Sequence, residues 1–169
     1  MRLSYLNAVE EELLSALVRP QAAFAIVGGH AVLCYTPAEC PDGSFRTLGD
    51  LDVLVATDPS NLEKVSRALA DIRIELSPDQ LRDTFINRKL PNLVRHRAQL
   101  FPEILGVRTD NVLSQVVTAD SSIGALPVIS SDHLLAAKKA AARPKDLEDV
   151  LALERSRSQN GLSSFGCAN

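Results

Sequence analysis

The stretch TLGDLDVLVATD, residues 47–58, decides how the rest of the chain is read. Its centre, LDVLV, is the aliphatic run of a buried strand, yet Asp50 and Asp52 stand at its mouth. In an extended chain alternate side chains share a face. Asp50, Asp52, Leu54 and Ala56 therefore point one way and Leu51, Val53 and Val55 the other. Two carboxylates side by side repel and cost desolvation unless they are solvated at a strand end, bonded to donors or neutralised by a cation.

On the N-terminal side of this strand, Leu6, Val9, Leu13, Leu14 and Leu17 recur at helical spacing, and Arg19-Pro20 stops that helix. The stretch AAFAIVGGHAVLCY, residues 22–35, then reads as a short apolar strand, a Gly28-Gly29 turn and a helix from His30. On the C-terminal side, DPSNLEKVSRALADI opens with capping residues and keeps Leu62, Val65 and Leu69 on one side, which predicts a helix returning across the sheet. Residues 84–101 read as two strands broken near Pro91-Asn92, and IGALPVIS as a further extended stretch. The chain turns helical from Ser131 and breaks at Arg143-Pro144. The end, RSRSQNGLSSFGCAN, is polar, rich in Gly and Ser, and aperiodic. The expectation is one α/β (α+β) domain over residues 1–156, a small mixed sheet flanked by helices with a C-terminal helical pair, and a disordered tail over 157–169.

The 169 residues, 46% hydrophobic and 23% charged, suit one domain with a sizeable core. No segment has the length or order of a membrane span or secretory signal, so a cytoplasmic protein without a membrane partner is expected. Cys34, Cys40 and Cys167 form no CxxC pair and read as reduced thiols. His30, Cys34 and Cys40 match no standard zinc spacing. A net charge of −3 excludes a protein that coats nucleic acid by bulk charge. One segment departs from that balance: RDTFINRKLPNLVRHR holds Arg82, Arg88, Lys89, Arg95 and Arg97 against Asp83. It suits a polyphosphate or an RNA backbone, or equally a charge-protected sheet edge.

Gly28-Gly29 between strand and helix lets a ligand approach the backbone and leaves N–H groups that favour an anion, although tight packing explains most such pairs. Joined to two carboxylates on one strand, the turn acquires a chemical meaning: a divalent ion on Asp50 and Asp52 with a triphosphate on the glycines is the arrangement that metal-assisted phosphoryl or nucleotidyl transfer needs. Lys138 interrupts an apolar helical stripe of Leu134, Leu135, Ala141 and Ala142, and Asp146 is placed to cap the following helix or to pair with Lys138 or Arg143.

VGGHAV, FRTLGDLDVLV and DHLLAAKKAAARPKDLEDVLALE, in that order, resemble the nucleotidyltransferases of the DNA polymerase β superfamily, in particular the small AbiEii-type proteins, many of which are toxins of toxin–antitoxin pairs. The resemblance spans about Phe24 to Glu154. It implies a minimal nucleotidyltransferase fold and transfer of a nucleotide from an NTP to a hydroxyl on an RNA end, a tRNA especially, or on a protein. An antitoxin partner is implied with it. It places Mg²⁺ (or Mn²⁺) and catalysis on Asp50 and Asp52, and nucleotide binding on Gly28, Gly29, Arg46, Thr47, Lys138, Arg143 and Asp146, with Lys145 in the same helical motif; Arg97 joins the nucleotide-binding candidates through its own position beside Gln99 rather than through a family motif. Two departures stand out. Arg46 and Thr47 are adjacent where the family has R-x-T, and Gln99 falls where many members carry a third acid. A neutral amide is no base near neutral pH, so Glu103 is the nearest substitute, and a non-catalytic nucleotide-binding or protein-interaction module is the alternative. Alternation sets Arg95, Arg97, Gln99 and Phe101 on one face.

Overall fold

The computed structural model describes residues 1–39, 46–89 and 91–163, without the side chains of 92 and 160–163. Cys40, Cys167 and the last part of the expected tail lie outside the described residues.

Six strands form one mixed sheet: β1 (Phe24–Ile26), β2 (Leu51–Val55), β3 (Asn92–Leu93), β4 (Ala98–Phe101), β5 (Val117–Ser121) and β6 (Gly124–Val128), in the order β3-β4-β2-β1-β6-β5. The stretch LDVLV is central. It pairs antiparallel with β1 (Ala25 opposite Leu54) and parallel with β4 (Asp52 opposite Gln99, Leu54 opposite Phe101). Leu51, Val53, Leu54 and Val55 are all fully buried, so both faces of β2 are covered beyond its first residues.

Seven helices supply the cover: α1 (Ala8–Val18), α2 (Gly28–Tyr35), α3 (Pro59–Asp71), α4 (Pro78–Ile86), α5 (Thr109–Ser114), α6 (Ser131–Ala141) and α7 (Pro144–Ser163). The helices α1, α3 and α4 pack as one layer, and α2, α6 and α7 as another, with α6 and α7 the C-terminal pair. Local chemistry starts each where it starts. Asn7 and Glu10 form a capping box on α1, Asp58 caps α3 with Pro59 in its first turn, and Ser77 with Gln80 does the same for α4. Buried Asn61 ties α3 to the sheet. Its Oδ1 accepts from Ala23 N at 2.6 Å, and its Nδ2 donates to the carbonyls of Ala23 and Ala56 at 3.1 and 2.9 Å.

Several expectations are corrected. The segment 84–101 does hold two strands, but shorter and broken elsewhere than expected: α4 occupies it up to Ile86, β3 has two residues and starts at Asn92, and the break before β4 is the 3₁₀ turn Val94–His96. Arg97 has φ 47°, in the left-handed region, so the alternation from Arg95 through Arg97 to Gln99 is broken. Neither α5 nor β5 was foreseen. Helix α2 begins at Gly28 rather than His30, and α1 at Ala8. Helix α7 continues to Ser163, into the stretch expected to lack order, where Arg157 bonds Ser131 and Asp132 at the start of α6. The helix outruns its apolar pattern because a neighbouring helix supplies polar partners. No helix among the described residues is long and apolar enough to cross a membrane.

Candidate functional site

A cleft of about 590 Å³ opens over the aspartate end of β2. Its walls come from the β1–α2 turn, the segment before β2, the outer end of β4 with the loop after it, and the α6–α7 joint. Of the residues singled out in the sequence, Gly28, Gly29, Arg46, Thr47, Asp50, Asp52, Gln99, Glu103, Lys138, Arg143, Lys145 and Asp146 all line it. Arg97 stands just outside, its Nε 4.0 Å from Asp50 Oδ1.

The two glycines do different jobs. Gly28 has φ +63°, and a Cβ there would stand 2.0 Å from Asp52 Oδ2. The Asp52 carboxylate is thus packed against the Gly28 backbone, and only glycine serves. At Gly29 a Cβ would meet only Leu48 Cδ2, at 3.5 Å, an ordinary contact. Val27, the residue before α2, contributes no side-chain cap, so the first N–H groups of that helix face the cleft without a side-chain acceptor. Val27 N donates to Asp52 O at 2.9 Å, which fixes the turn against β2.

Burial raises the Asp52 carboxyl above its usual range. The charges of Lys138 and Lys145 pull it back, Asp50 adds to the rise, and the net direction is upward. No side-chain hydrogen bond reaches Asp52 among the described residues. Asp50 is half exposed. Gln99 is Asp52's register neighbour on β4, so the position where an acid was expected is indeed beside the aspartates, and it carries an amide.

At the α6–α7 joint, Lys138 is buried, its Nζ 2.8 Å from Asp146 Oδ1 and 2.8 Å from Asp149 Oδ2. Arg143 donates from Nε to Asp146 Oδ2 at 2.5 Å and from Nη2 to Oδ1 at 3.3 Å. Arg46 pairs with Asp149 rather than with the aspartates of β2. Among the described residues the Asp149 oxygens are held by these charges without well-directed hydrogen bonds. Burial works against ionisation of Asp146, but its bonds from Arg143 and Lys138 prevail and hold its carboxyl down at about 2. Three cations therefore share two buried carboxylates. Asp146 both pairs and lines the site, so its structural and functional readings coexist. Lys145, exposed in the first turn of α7, makes no ion pair among the described residues and is the cation with its charge uncommitted.

Sequence reasoning missed Asp149. Its signal was the i, i+3 spacing from Asp146, which puts both acids on one face of α7. It also missed the apolar wall of Phe101, Ile104, Leu105 and Leu134. Burial pushes the Cys34 thiol up to about 11, and the described residues contain no group of three or more His, Cys, Asp or Glu that could hold a metal.

Two carboxylates nevertheless fit Mg²⁺. This hard cation takes oxygen donors, and it is commonly held by one or two carboxylates with substrate phosphates completing its shell. Asp52 Oδ2, aimed along the glycine turn and raised by burial, is a donor that gains by a cation. Compared with known proteins, the chain matches no family model and no curated sequence.

Proposed function

We propose that the protein is a metal-dependent nucleotidyltransferase of the kind its motifs resemble, taking an NTP with Mg²⁺ (or Mn²⁺) and moving the nucleotide to a hydroxyl. The observation that carries this reading is the packing of Asp52 against Gly28, at the uncapped start of α2. An anion-favouring helix end is set directly against two carboxylates, and each alone repels the other's natural ligand. A polyphosphate that arrives with a divalent cation satisfies both.

When bound, the ion would offset charge on the phosphate oxygens and lower the pKa of an attacking hydroxyl. The chain's own residues do the rest. Asp50 and Asp52 hold the ion, the Gly28-Gly29 turn and Lys145 position phosphate, and the Lys138–Asp146–Asp149 network with Arg46 and Arg143 keeps that wall rigid and slightly positive. In the transfer, the acceptor oxygen bonds to the α-phosphorus. The bond from that phosphorus to the oxygen bridging to the β-phosphate breaks, pyrophosphate leaves with the electron pair, and the hydroxyl proton passes to water. The exposed Arg97 beside Asp50, with Arg95 exposed in the preceding turn, suits an acceptor with a phosphate backbone, an RNA end or tRNA, ahead of a protein hydroxyl. A toxin role with an antitoxin partner belongs to the same proposal.

Gln99 favours a second reading, a non-catalytic nucleotide-binding module, because no base stands beside the aspartates on β4. The test incubates the protein with each labelled NTP, Mg²⁺ or Mn²⁺, total tRNA and cell extract. Labelled acceptor is expected from wild type, and Asp50→Asn and Asp52→Asn should each lose Mg²⁺-dependent NTP binding with melting temperature held or raised. Wild-type binding in both variants would remove the metal assignment. Binding without transfer, in wild type and in Gln99→Asp alike, would select the second reading.

A further inference from the structure

The cleft has a second half that the phosphate chemistry does not use. Along β4 the side chains facing it pass from Gln99 to Phe101, about 7 Å further from the aspartates. Beyond Phe101 come Ile104 and Leu105, and across from them Leu134, Ala137 and Ala141 of α6. Apart from Glu103, its one charged side chain among the described residues, this half is lined by apolar side chains. Leu105 is 67% exposed, although it belongs to a loop that is firmly seated. Gly106, at φ +80°, lies so close to α6 that a Cβ would meet Ala140 Cβ at 2.5 Å and the Ala136 carbonyl oxygen at 3.0 Å. The loop is therefore pinned by backbone contact and holds Leu105 out over the cleft, while alanines at 137 and 141 leave the facing wall shallow.

Building on the nucleotidyltransferase reading, we infer that the slot between Leu105, Ile104 and Phe101 on one side and Leu134, Ala137 and Ala141 on the other receives the base of the nucleoside triphosphate. A flat, weakly polar group tethered by a sugar to a metal-bound polyphosphate is the ligand that matches a cleft polar at one end and apolar at the other, with a strand-length step between. The base is held by area and shape. Beyond Gln99 at its boundary, Glu103 is the one side chain lining this half among the described residues that could reach a base edge, so area and shape carry most of the recognition and discrimination between the four bases is expected to be weak.

The test measures dissociation constants of Mg²⁺-ATP and of Mg²⁺-tripolyphosphate, which carries the phosphates without base or sugar, on wild type and on Leu105→Ser. The exposed position of Leu105 leaves folding unaffected, and circular dichroism checks this. Wild type should prefer ATP to tripolyphosphate, and Leu105→Ser should weaken ATP about tenfold while leaving tripolyphosphate unchanged, as expected for losing most of one leucine's contact area. GTP, CTP and UTP should bind wild type within about tenfold of ATP. Equal affinities for ATP and tripolyphosphate in wild type, or an ATP affinity untouched by Leu105→Ser, would overturn the base slot and leave the phosphate and metal site standing. Binding of neither probe by wild type would overturn both readings. A strong preference for one base would replace shape by edge recognition and so overturn the unselective slot.

Discussion

At the scale of single residues, Gly28 is the position with the least freedom in the candidate site. Its left-handed φ and the 2.0 Å approach of Asp52 Oδ2 to a notional Cβ act together, so Gly28→Ala must both strain the backbone and displace the carboxylate. We expect a loss of about 1–3 kcal/mol together with loss of Mg²⁺-NTP binding. Gly29→Ala is the control. It adds a methyl where only Leu48 stands near, in the first turn of a helix, and should leave stability within about 1 kcal/mol of wild type or raise it. Urea unfolding of the two variants checks the contrast, and equal losses would show that the turn tolerates no side chain anywhere. The neighbouring Gln99 shows the limit of arguments from residue type. Its amide says what it cannot do, and only its register opposite Asp52 makes that matter.

At the scale of elements, the α6–α7 pair is held by charge as much as by apolar contact. Asp146 and Asp149 are buried, and Lys138 is the cation shared by both. Replacing one partner of such a network leaves the other uncompensated in a low dielectric, which is more damaging than removing the whole pair. Lys138→Met should therefore cost about 3 kcal/mol, because it leaves buried Asp146 with Arg143 alone and buried Asp149 with Arg46 alone. Adding Asp149→Asn should recover part of that loss, a coupling that a double-mutant cycle in chemical denaturation measures. Strictly additive losses would mean that Lys138 acts through packing of its stem alone. The consequence for the site is that Lys138, Arg143 and Arg46 shape the wall while Lys145 carries the free charge.

At the scale of the whole molecule, α1 and α2, which belong to opposite helical layers, meet at the end of the sheet through Glu10 and His30. His30 Nε2 lies 3.7 Å from Glu10 Oε2, both side chains are buried, and His30 Nδ1 has no hydrogen-bond partner among the described residues. Burial, reinforced by the charge of Arg97, lowers the imidazole from 6.5 to about 4, so His30 is neutral in the folded protein near pH 7. The unfolded chain then binds the extra proton between these two values, and stability falls as pH drops from about 6.5 towards 4. The loss from this group is at most about 3 kcal/mol. Glu10 opposes it, because burial raises its carboxyl and protonation relieves that cost. Urea midpoints between pH 7 and pH 5 should fall in wild type and fall less steeply in His30→Gln. Identical slopes would remove His30 from the acid response.

The sequence by itself determined what local physics decides. The alternation in LDVLV specified a strand with two acids at its mouth, the spacing of Leu62, Val65 and Leu69 specified α3, and Pro144 separated α6 from α7. Even the missed α4 was legible, since Ser77, Pro78 and Gln80 spell a helix start that the basic run after it obscured. Tertiary structure alone decided the rest. Whether Gln99 lies beside Asp52 depends on the pairing of strands more than 40 positions apart. The left-handed turn at Arg97 depends on closing that pairing, and the neutralisation of Lys138 depends on how α7 folds back on α6. Periodicity fixes which side of an element is apolar. It carries no information about which distant side chain arrives there, because that choice is made by burial and charge compensation in the assembled core.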